Sequence, residues 1–586
     1  MSGKPLVIFD GKCGFCRIWI QYWNQLTGDR IDYAPSQEVG ERFPQISPKN
    51  FGQSVQLAMP SGEVISGARG VFTTLTYAPG MAWLLWLYNH LPGFAPVTEA
   101  AYRVIAAHRT LFYHVTRFTF GRDIAPLTYA HVEWIFLRIL ALIYLVAFSS
   151  FGMQITGLIG SRGILPAGRF LEAVSAAYGA QGYWMLPGVF WLAHGDVFLR
   201  GVCIAGAAIS VVLFFGYLER AALVLLYILY LSLCTAGQDF MSFQWDMLLL
   251  EAGFLAIFLG SSKVVMLLFR WLLFRLTFLS GAVKLLSHDT SWSSLRAVSF
   301  HYMTQPLPTP LAWYMNQLPL GFQRFSTGVV FFIELAVPFL IFTPRRWRFF
   351  GAACLLFLQV VILLTGNYTF FNLLTMALCL FLFDDKALSG LRLRSRAVRI
   401  RRGLVVTVAA VILILSCLEL CGVFFARDSS LLRFAAPFGI VNTYGLFAVM
   451  TTTRPEIIVQ GSNDGVAWLD YEFKYKPGDL RQAPRWVAPH QPRLDWQMWF
   501  AALSPARSPA WFDNFMVRLL QGSPDVTALL AKNPFPGAGP KYVRALLFDY
   551  SFTDFATHRA TGAWWQRKAL GVYFPAISLE DVHLKE

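Results

Sequence analysis

Long apolar runs fill the middle of the chain, between residues 134 and 426. We interpret nine of them as membrane spans, at 134–155, 201–218, 221–238, 247–262, 264–286, 325–343, 349–366, 367–383 and 403–426. A helix needs about 20 apolar residues to cross roughly 30 Å of hydrocarbon. Several of these runs are shorter than that, which predicts tilted, broken or re-entrant helices among them. The pattern as a whole predicts a polytopic α-helical membrane domain, which we place at residues 129–426.

The amino-terminal part, residues 1–128, has the pattern of a soluble α/β domain. Residues 6–9 predict a short buried strand, and a helical pattern follows from 16 to 26. Alternating apolar residues at 54–59, followed by turn residues at 60–63, predict a hairpin. Because few apolar residues precede Asp10, we expect no signal peptide at this end.

Charged residues return after residue 426. Alternating patterns at 456–465, 468–475 and 542–550 predict three strands, and a helical pair is expected near 511–520 and 524–532. An Asn-Asp-Gly sequence at 463–465 supplies the residues that favour a hairpin turn. We therefore predict a β-rich domain at 427–586, and a multi-domain protein overall.

Composition agrees with a membrane protein. Hydrophobic residues make up 56% of the chain and charged residues only 14%, with a mean hydropathy of +0.49. Soluble proteins carry about 25% charged residues. The formal net charge of +15 would suggest nucleic acid in a soluble protein. Here basic residues are expected at the cytoplasmic ends of the spans instead, so we predict no nucleic-acid partner.

The distribution of basic residues predicts the orientation. Arg345, Arg346 and Arg348 lie in one short hairpin, and seven basic residues lie between 386 and 402, whereas the loop at 287–324 holds two. Because basic loops stay in the cytoplasm, an odd number of spans places the amino end inside and the carboxyl end outside. A solvated charged face is the alternative interpretation of the 386–402 run, and it would also lie in the cytoplasm.

Two cysteines stand between the first strand and the first helix. Cys13 and Cys16 are separated by two residues and can close a disulfide. The free N–H groups and the dipole at a helix start lower the pKa of the first thiol. We therefore interpret Cys13 as the nucleophile and Cys16 as the resolving thiol. Half of a zinc site and a pair of structural thiols are the alternatives, although no second cysteine pair lies in this domain.

The segment from Phe9 through Asp10 and Gly11 to Cys13 and Cys16 resembles the signature of the DCC thiol–disulfide oxidoreductase family. Residues 102–109 are similar to the closing helix of that family. The resemblance implies a thioredoxin-like fold and a site formed by Asp10, Cys13 and Cys16. One departure is that Gly14-Phe15 stands where this family commonly has a proline after the first cysteine.

Ionisable residues inside apolar runs are costly and by default suggest function. They are Asp246, Glu251, Arg270, Arg275, Lys284 and Glu334. We consider Asp246, Glu251 and Glu334 as a polar cluster within the membrane. The alternative is that these groups form internal ion pairs that fix the helix bundle. No metal-binding, nucleotide-binding or nucleophile-elbow motif occurs here, so we expect neither a metal nor another cofactor.

Several segments resemble the lipase maturation factor family. The resemblance rests on residues 161–166, 245–253, 280–285, 365–372 and 442–447, which occur in the family order. It implies a multi-pass membrane protein whose exported carboxyl-terminal domain assists the maturation of secreted clients such as dimeric lipases. The family is distantly similar to the vitamin K-dependent carboxylase-like membrane fold, in which a lysine acts as base, and Lys284 falls at the matching position.

The same resemblance bears on location. Animal members reside in the endoplasmic reticulum membrane and lack the amino-terminal redox domain. The fused cysteine-pair domain therefore suggests a bacterial inner-membrane protein whose client is unknown. A eukaryotic protein of this kind would instead lie in the endoplasmic reticulum membrane.

Three functional hypotheses remain. The first is a maturation factor whose partners are membrane lipid, a secreted client such as a lipase, and a thiol or disulfide partner of the amino-terminal domain. The second is an intramembrane enzyme that uses Lys284 as a base on a lipid, quinone or peptide. The third passes reducing equivalents across the membrane and needs a relay, for which Cys417 and Cys421 are the candidate pair. We rank the third last.

Overall fold

Strand β1 (Leu6–Phe9) lies at the centre of the amino-terminal sheet in the computed structural model. It pairs in parallel with β2 (Asp32–Pro35) and antiparallel with β3 (Gln56–Ala58), which pairs with β4 (Val64–Ser66). Val7 packs on one face of the sheet and Ile8 on the other. Because both faces are covered, the strand is a continuous apolar run rather than an alternating one.

The α-helices of the described residues in this domain are α1 (Gly14–Thr27), α2 (Ser36–Val39), α3 (Pro48–Gln53), α4 (Gly67–Thr76), α5 (Trp83–His90), α6 (Phe94–Ala107) and α7 (Arg109–Phe120). Helix α1 is present as predicted but begins at Gly14, directly after Cys13, rather than at Cys16. The hairpin predicted at 54–66 is present as β3 and β4.

The structure describes residues 3–583, apart from 122–123, 125–127, 261, 389–400 and 505–506. Its contacts divide the chain into two units. One is Met1–Thr128 with Phe342–Phe350, and the other is Tyr129–Ile341 with Gly351–Glu586. Most of the basic run at 386–402 lies outside the described residues.

The second unit begins with helices α8 to α23. They are α8 (Ala130–Gly152), α9 (Ile155–Ile159), α10 (Ala167–Tyr178), α11 (Gln181–Met185), α12 (Asp196–Phe214), α13 (Glu219–Ala236), α14 (Gln244–Ala256), α15 (Lys263–Leu286), α16 (Thr290–Ser293), α17 (Ala297–Thr304), α18 (Pro310–Asn316), α19 (Leu320–Phe331), α20 (Arg345–Thr365), α21 (Phe371–Cys379), α22 (Arg402–Phe425) and α23 (Ser430–Ala435). Helix α19 continues through further helical turns to Phe342.

Among the described residues, seven helices are long and apolar enough to cross a membrane. They are α8, α12, α13, α15, α19 with its continuation, α20 and α22. The prediction of nine spans of this kind is therefore wrong in number. The runs at 247–262 and 367–383 fold as α14, with 13 residues, and α21, with nine residues and a 3₁₀ turn. At 1.5 Å per residue, α14 extends only about 20 Å.

A second sheet, in the order β6-β5-β7-β8, lies in the carboxyl-terminal part. Its antiparallel strands are β5 (Arg454–Ser462), β6 (Leu469–Asp470), β7 (Tyr542–Phe552) and β8 (Trp565–Ile577). Helices α24 (Arg493–Ala502), α25 (Ala510–Leu520), α26 (Pro524–Thr527), α27 (Phe555–Thr561) and α28 (Leu579–His583) accompany it. The domain is therefore a mixture of strands and helices, rather than mainly β.

The strand predicted at 468–475 is present only as the two residues of β6. The backbone N–H groups of Tyr475 and Lys476 donate to the carboxylate of Asp495 in α24, at 2.8 and 2.9 Å. The Asp495 carboxylate accepts the hydrogen bonds that a neighbouring strand would otherwise accept. The segment therefore does not continue as a strand, although its sequence alternates. The pattern alone does not show which acceptor a backbone will find.

Candidate functional site

The two cysteines of the amino-terminal domain lie together as free thiols. Cys13 occupies the N-cap position of α1, where its sulfur accepts a hydrogen bond from the backbone N–H of Cys16 at 3.2 Å. The two Sγ atoms are 2.7 Å apart. Cys13 is half-buried and Cys16 is buried. The pair is therefore positioned to form and release a disulfide, with Cys13 as the more accessible sulfur.

Asp10 organises the loop that precedes Cys13. Its carboxylate accepts hydrogen bonds from the backbone N–H of Lys12 at 3.0 Å and from Nε2 of Gln37 at 2.9 Å. A guanidinium nitrogen of Arg109 lies 3.8 Å from the other carboxylate oxygen. Gly11 is required here because a Cβ atom would come within 2.7 Å of Pro35. Asp10 thus holds the loop and does not itself contact either sulfur through a hydrogen bond.

Burial raises the pKa of the Cys16 thiol to about 12, and its hydrogen bond with Cys13 adds to the effect. The positive charge of Arg109 opposes this shift. A cavity of about 230 Å³ adjoins Cys16 and is lined mainly by apolar and aromatic side chains, with Asp10 and Arg109 among its polar members. Cys16 therefore has the surroundings of a resolving thiol, which acts only after its partner has reacted.

The contacts of Gly14 explain why it stands where the DCC family commonly has a proline. A Cβ atom at this position would lie 3.2 Å from the ring of Tyr113 in α7. The close ring leaves little room for a larger residue directly after the first cysteine.

Lys284, near the end of α15, forms a buried ion pair with Glu334. Its ammonium donates to a carboxylate oxygen of Glu334 at 2.7 Å and to the carbonyl of Ser280 at 2.9 Å. It also lies 5.1 Å from the ring of Trp292. Glu334 lies in a π-helical turn, Phe332–Ala336, that interrupts the helix ahead of Pro338. Such turns are frequent at functional sites.

Asp246 is fully buried and pairs with Arg493 from the carboxyl-terminal domain. The guanidinium donates to both carboxylate oxygens, each at 2.8 Å. The hydroxyl of Tyr230 donates to the same carboxylate at 2.5 Å. This bidentate pair joins the start of α14 to the start of α24.

Glu251 forms a different ion pair, with Arg275 of α15. It also accepts hydrogen bonds from the hydroxyl of Tyr444 at 2.7 Å and the backbone N–H of Asn442 at 3.1 Å. All of these partners belong to the second unit. The carboxylate therefore connects the membrane helices to the segment that precedes β5.

The three carboxylates considered as one polar cluster thus have three different cationic partners. Asp246 pairs with Arg493, Glu251 with Arg275, and Glu334 with Lys284. The described hydrogen bonds and ion pairs do not join the three carboxylates to one another. The arrangement agrees with internal ion pairing, since a buried charge needs a partner at close range.

Comparison with known proteins places these features in a family. The models described as "Lipase maturation factor transmembrane domain", "Lipase maturation factor C-terminal domain" and "DCC1-like thiol-disulfide oxidoreductase" match residues 131–390, 440–575 and 7–114. Lipase maturation factor 2 of Gallus gallus is 36% identical, over 76% of this chain and 81% of its own. Lipase maturation factor 1 of Bos taurus is 37% identical, over 76% of this chain and 89% of its own. The chain belongs to the lipase maturation factor family.

The match confirms both family resemblances, including the amino-terminal DCC1-like thiol–disulfide oxidoreductase domain. Together with the seven long apolar helices, it shows a multi-pass membrane protein. No solved structure matches the chain. The similarity to the vitamin K-dependent carboxylase fold therefore stays a prediction.

The segments that carry the lipase maturation factor resemblance meet the carboxyl-terminal domain. The carbonyl of Gly163 accepts from Arg518 at 2.9 Å. The side-chain oxygen of Asn367 accepts from the backbone N–H groups of Val487 and Ala488, at 2.7 and 3.0 Å. With the contacts of Asp246 to Arg493 and of Glu251 to Tyr444, these bonds make the family motifs part of one junction between the membrane helices and the carboxyl-terminal domain.

Sequence patterns missed several residues of these sites. Gln37 and Arg109 support Asp10, yet they lie 27 and 99 positions further along the chain. Arg493, the partner of Asp246, stands in a polar segment where an arginine is unremarkable. The sequence contains one indication that Arg109 belongs to the site, because Arg109 ends the stretch that resembles the closing helix of the DCC family.

The thiols should differ strongly in reactivity. When the full-length protein is treated with iodoacetamide near pH 8, we expect Cys13 to be alkylated at least about a hundredfold faster than Cys16, because the thiolate is the reactive form and the pKa of Cys16 is about 12. Peptide mass spectrometry measures both rates, with buried Cys203 as the unreactive control. Equally slow labelling of Cys13 and Cys16 would indicate structural thiols instead.

Proposed function

We propose that this member of the lipase maturation factor family assists the folding of exported client proteins, lipase-like proteins among them. The relatives are named lipase maturation factors, and an exposed strand in the carboxyl-terminal domain is the observation that carries the proposal. We assign client contact to 427–586, anchoring to 129–426 and thiol exchange to 1–128.

Strand β8 forms an edge of the second sheet and is 13 residues long. Most of it is exposed, including Leu570 at 54% and Val572 at 67%. Within the described residues, its recorded strand partner is β7 alone. A long exposed edge can pair with an extended segment of another chain. An incompletely folded exported polypeptide offers such segments, because its backbone groups are still unpaired.

A charge on this edge should block the contact. We expect Val572→Lys to reduce client maturation about tenfold or more while the protein remains in the membrane, since an edge lysine disfavours strand addition. The amount of active exported client is measured in a deletion strain that carries each variant. Thr557→Lys, on α27, serves as the control. Full maturation with Val572→Lys would refute the assignment of this edge.

We also propose a topology in which α14 and α21, each too short to span the membrane alone, return the chain to the other side together with the residues that flank them. The carboxyl-terminal domain contacts Gln154 just after α8, Ser287 just after α15 and Asn367 just after α20. It also contacts Asp246, which follows α13. Helices α13 and α15 therefore end at the same side of the membrane. Two successive long helices can cross in the same direction only if the chain between them crosses back. Helix α21 fills the same need between α20 and α22.

The proposed topology places the amino-terminal domain in the cytoplasm and the carboxyl-terminal domain outside. Single cysteines at Ser242 and Lys263, which flank α14, should be labelled from opposite sides by an impermeant maleimide in a cysteine-free background. Labelling of both from one side would contradict the passage through α14. Reporter fusions after residues 128 and 586 test the orientation, and an exported signal from the first would refute it.

The amino-terminal domain is proposed to act as a reductant through its cysteine pair. The Cys13 thiolate attacks a partner disulfide, forms a mixed disulfide and displaces one partner thiolate. Cys16 then gives up its proton and attacks Cys13, so that the partner leaves as a dithiol and the pair becomes a disulfide. The cytoplasm is reducing and would restore the dithiol.

An intramembrane enzyme related to the vitamin K-dependent carboxylase, with Lys284 as base, is the second candidate. The observation that favours it is a cavity beside Lys284 and Glu334. The ion pair weighs against it, because an ammonium must lose its proton before it can act as a base. We therefore rank this candidate below the maturation factor.

A further inference from the structure

A cavity of about 470 Å³ lies inside the helix bundle, next to the ion pair of Lys284 and Glu334. Helices α15, α17, α19, α20 and α21 all contribute to its lining, and most of that lining is apolar. The volume falls within the range of about 300–1,000 Å³ that is usual for ligand cavities. A cavity of this size, with an apolar lining and one polar end, is typical of a binding site rather than of a packing defect.

The polar end of the cavity carries no net charge. Lys284 and Glu334 neutralise each other at 2.7 Å. Burial, helped by the nearby charge of Lys284, lowers the pKa of His301 to about 4, so its imidazole is neutral at physiological pH. A ligand with an ionic head would therefore bring an uncompensated charge into a buried site, which is unfavourable.

Two buried polar atoms of residues that line the cavity lack a partner among the described residues. The side-chain oxygen of Asn372, a fully buried residue, accepts no hydrogen bond, although its nitrogen donates to Gln359 at 2.8 Å. The Nδ1 atom of His301 is also unpaired, while its Nε2 lies 3.2 Å from the hydroxyl of Tyr368. Buried polar atoms are usually satisfied. The Tyr368 hydroxyl donates its proton to Gln305, so Nε2 of His301 is the donor to Tyr368 and Nδ1 is an acceptor. Both free atoms are therefore matched by a head group that donates two hydrogen bonds.

The cavity reaches the outer surface of the bundle. Phe322 and Phe325 of α19 and Phe357 of α20 line it and are 44, 68 and 58% exposed. Both helices are long and apolar enough to span the bilayer. Exposed phenylalanines on such helices face hydrocarbon, so the opening leads sideways into the lipid.

We propose that this cavity binds a neutral membrane lipid of the monoacylglycerol type, with its two hydroxyl groups at Asn372 and His301. A hydroxyl donates to the Asn372 oxygen, and the acyl chain extends past the phenylalanines towards the bilayer. A quinone offers carbonyl acceptors only and would leave the Asn372 oxygen unpaired. The proposal is independent of client binding by β8, and it requires no base at Lys284.

The test uses a monoacylglycerol with a diazirine in its acyl chain and the purified full-length protein. We expect saturable labelling of α19 and α20 peptides. Asn372→Leu should lower the apparent affinity about tenfold, since a hydrogen bond is lost. Ser326→Trp, which places a large side chain in the lining of the cavity, should abolish saturable labelling. Leu320→Trp, exposed on the same helix and outside the lining, should leave it unchanged.

Two comparison probes separate the ligand classes. A free fatty acid with the same diazirine chain is anionic, and a quinone with the same chain has acceptors only. Stronger labelling by either probe would overturn the neutral acylglycerol assignment. Labelling that does not saturate, or that persists in a folded Ser326→Trp protein, would overturn the cavity as the binding site. Unfolding temperatures of all variants show whether they are folded.

Discussion

Arg493→Ala is expected to lower the free energy of unfolding by about 3–5 kcal/mol. The reason is that Asp246, which is 0% exposed, would lose the guanidinium that donates to both of its oxygens. A buried carboxylate without its partner is a strongly destabilising feature. Unfolding in mixed SDS micelles, followed by tryptophan fluorescence, measures the change.

The matched control is Lys532→Ala, which removes a cation from the same domain. Lys532 pairs with Glu472 at 3.1 Å, but their side chains are 63 and 54% exposed. Exposed pairs of this kind contribute about 1 kcal/mol or less. Similar losses from the two variants would show that Arg493 and Asp246 do not hold the junction between the membrane helices and the carboxyl-terminal domain.

Lys284→Ala is expected to destabilise the membrane helices by a similar amount, about 3–5 kcal/mol, because Glu334 would stay buried without its cation. Replacing both partners, as Lys284→Met with Glu334→Leu, should restore most of the stability, since no unpaired charge is left. The protein level in the membrane and unfolding in mixed micelles measure both effects.

The double variant also separates structure from catalysis. If Lys284 serves only as half of an ion pair, the folded double variant should support client maturation at the wild-type level. If Lys284 is a base, the folded double variant should be inactive. Lys284→Arg gives a second test, because an arginine retains the charge but cannot become neutral.

Local patterns predicted the elements that depend on neighbouring residues. The first strand, the helix that starts after Cys13 and the long apolar helices follow from short-range periodicity and capping. The placement of Cys13 at a helix start needs only the residues beside it. Thus the amino-terminal site was visible in large part from the sequence.

The sequence pattern does not reveal which residues pair when they lie far apart along the chain. Arg493 lies 247 positions from Asp246, and nothing in its polar surroundings marks it as buried. The 468–475 segment alternates like a strand, yet Asp495 takes its backbone N–H groups. The two runs at 247–262 and 367–383 are as apolar as the long spans, but their helices α14 and α21 are shorter, and hydropathy does not show where a helix ends.

We propose above all that exported proteins need this chain in order to mature. The most direct measurement compares the exported proteins of a deletion strain with those of its parent and of the complemented strain, by quantitative mass spectrometry and lipase activity. We predict that one or more exported proteins, lipase-like among them, are synthesised normally but fail to reach their active form. An unchanged set of active exported proteins in the deletion strain would contradict the claim.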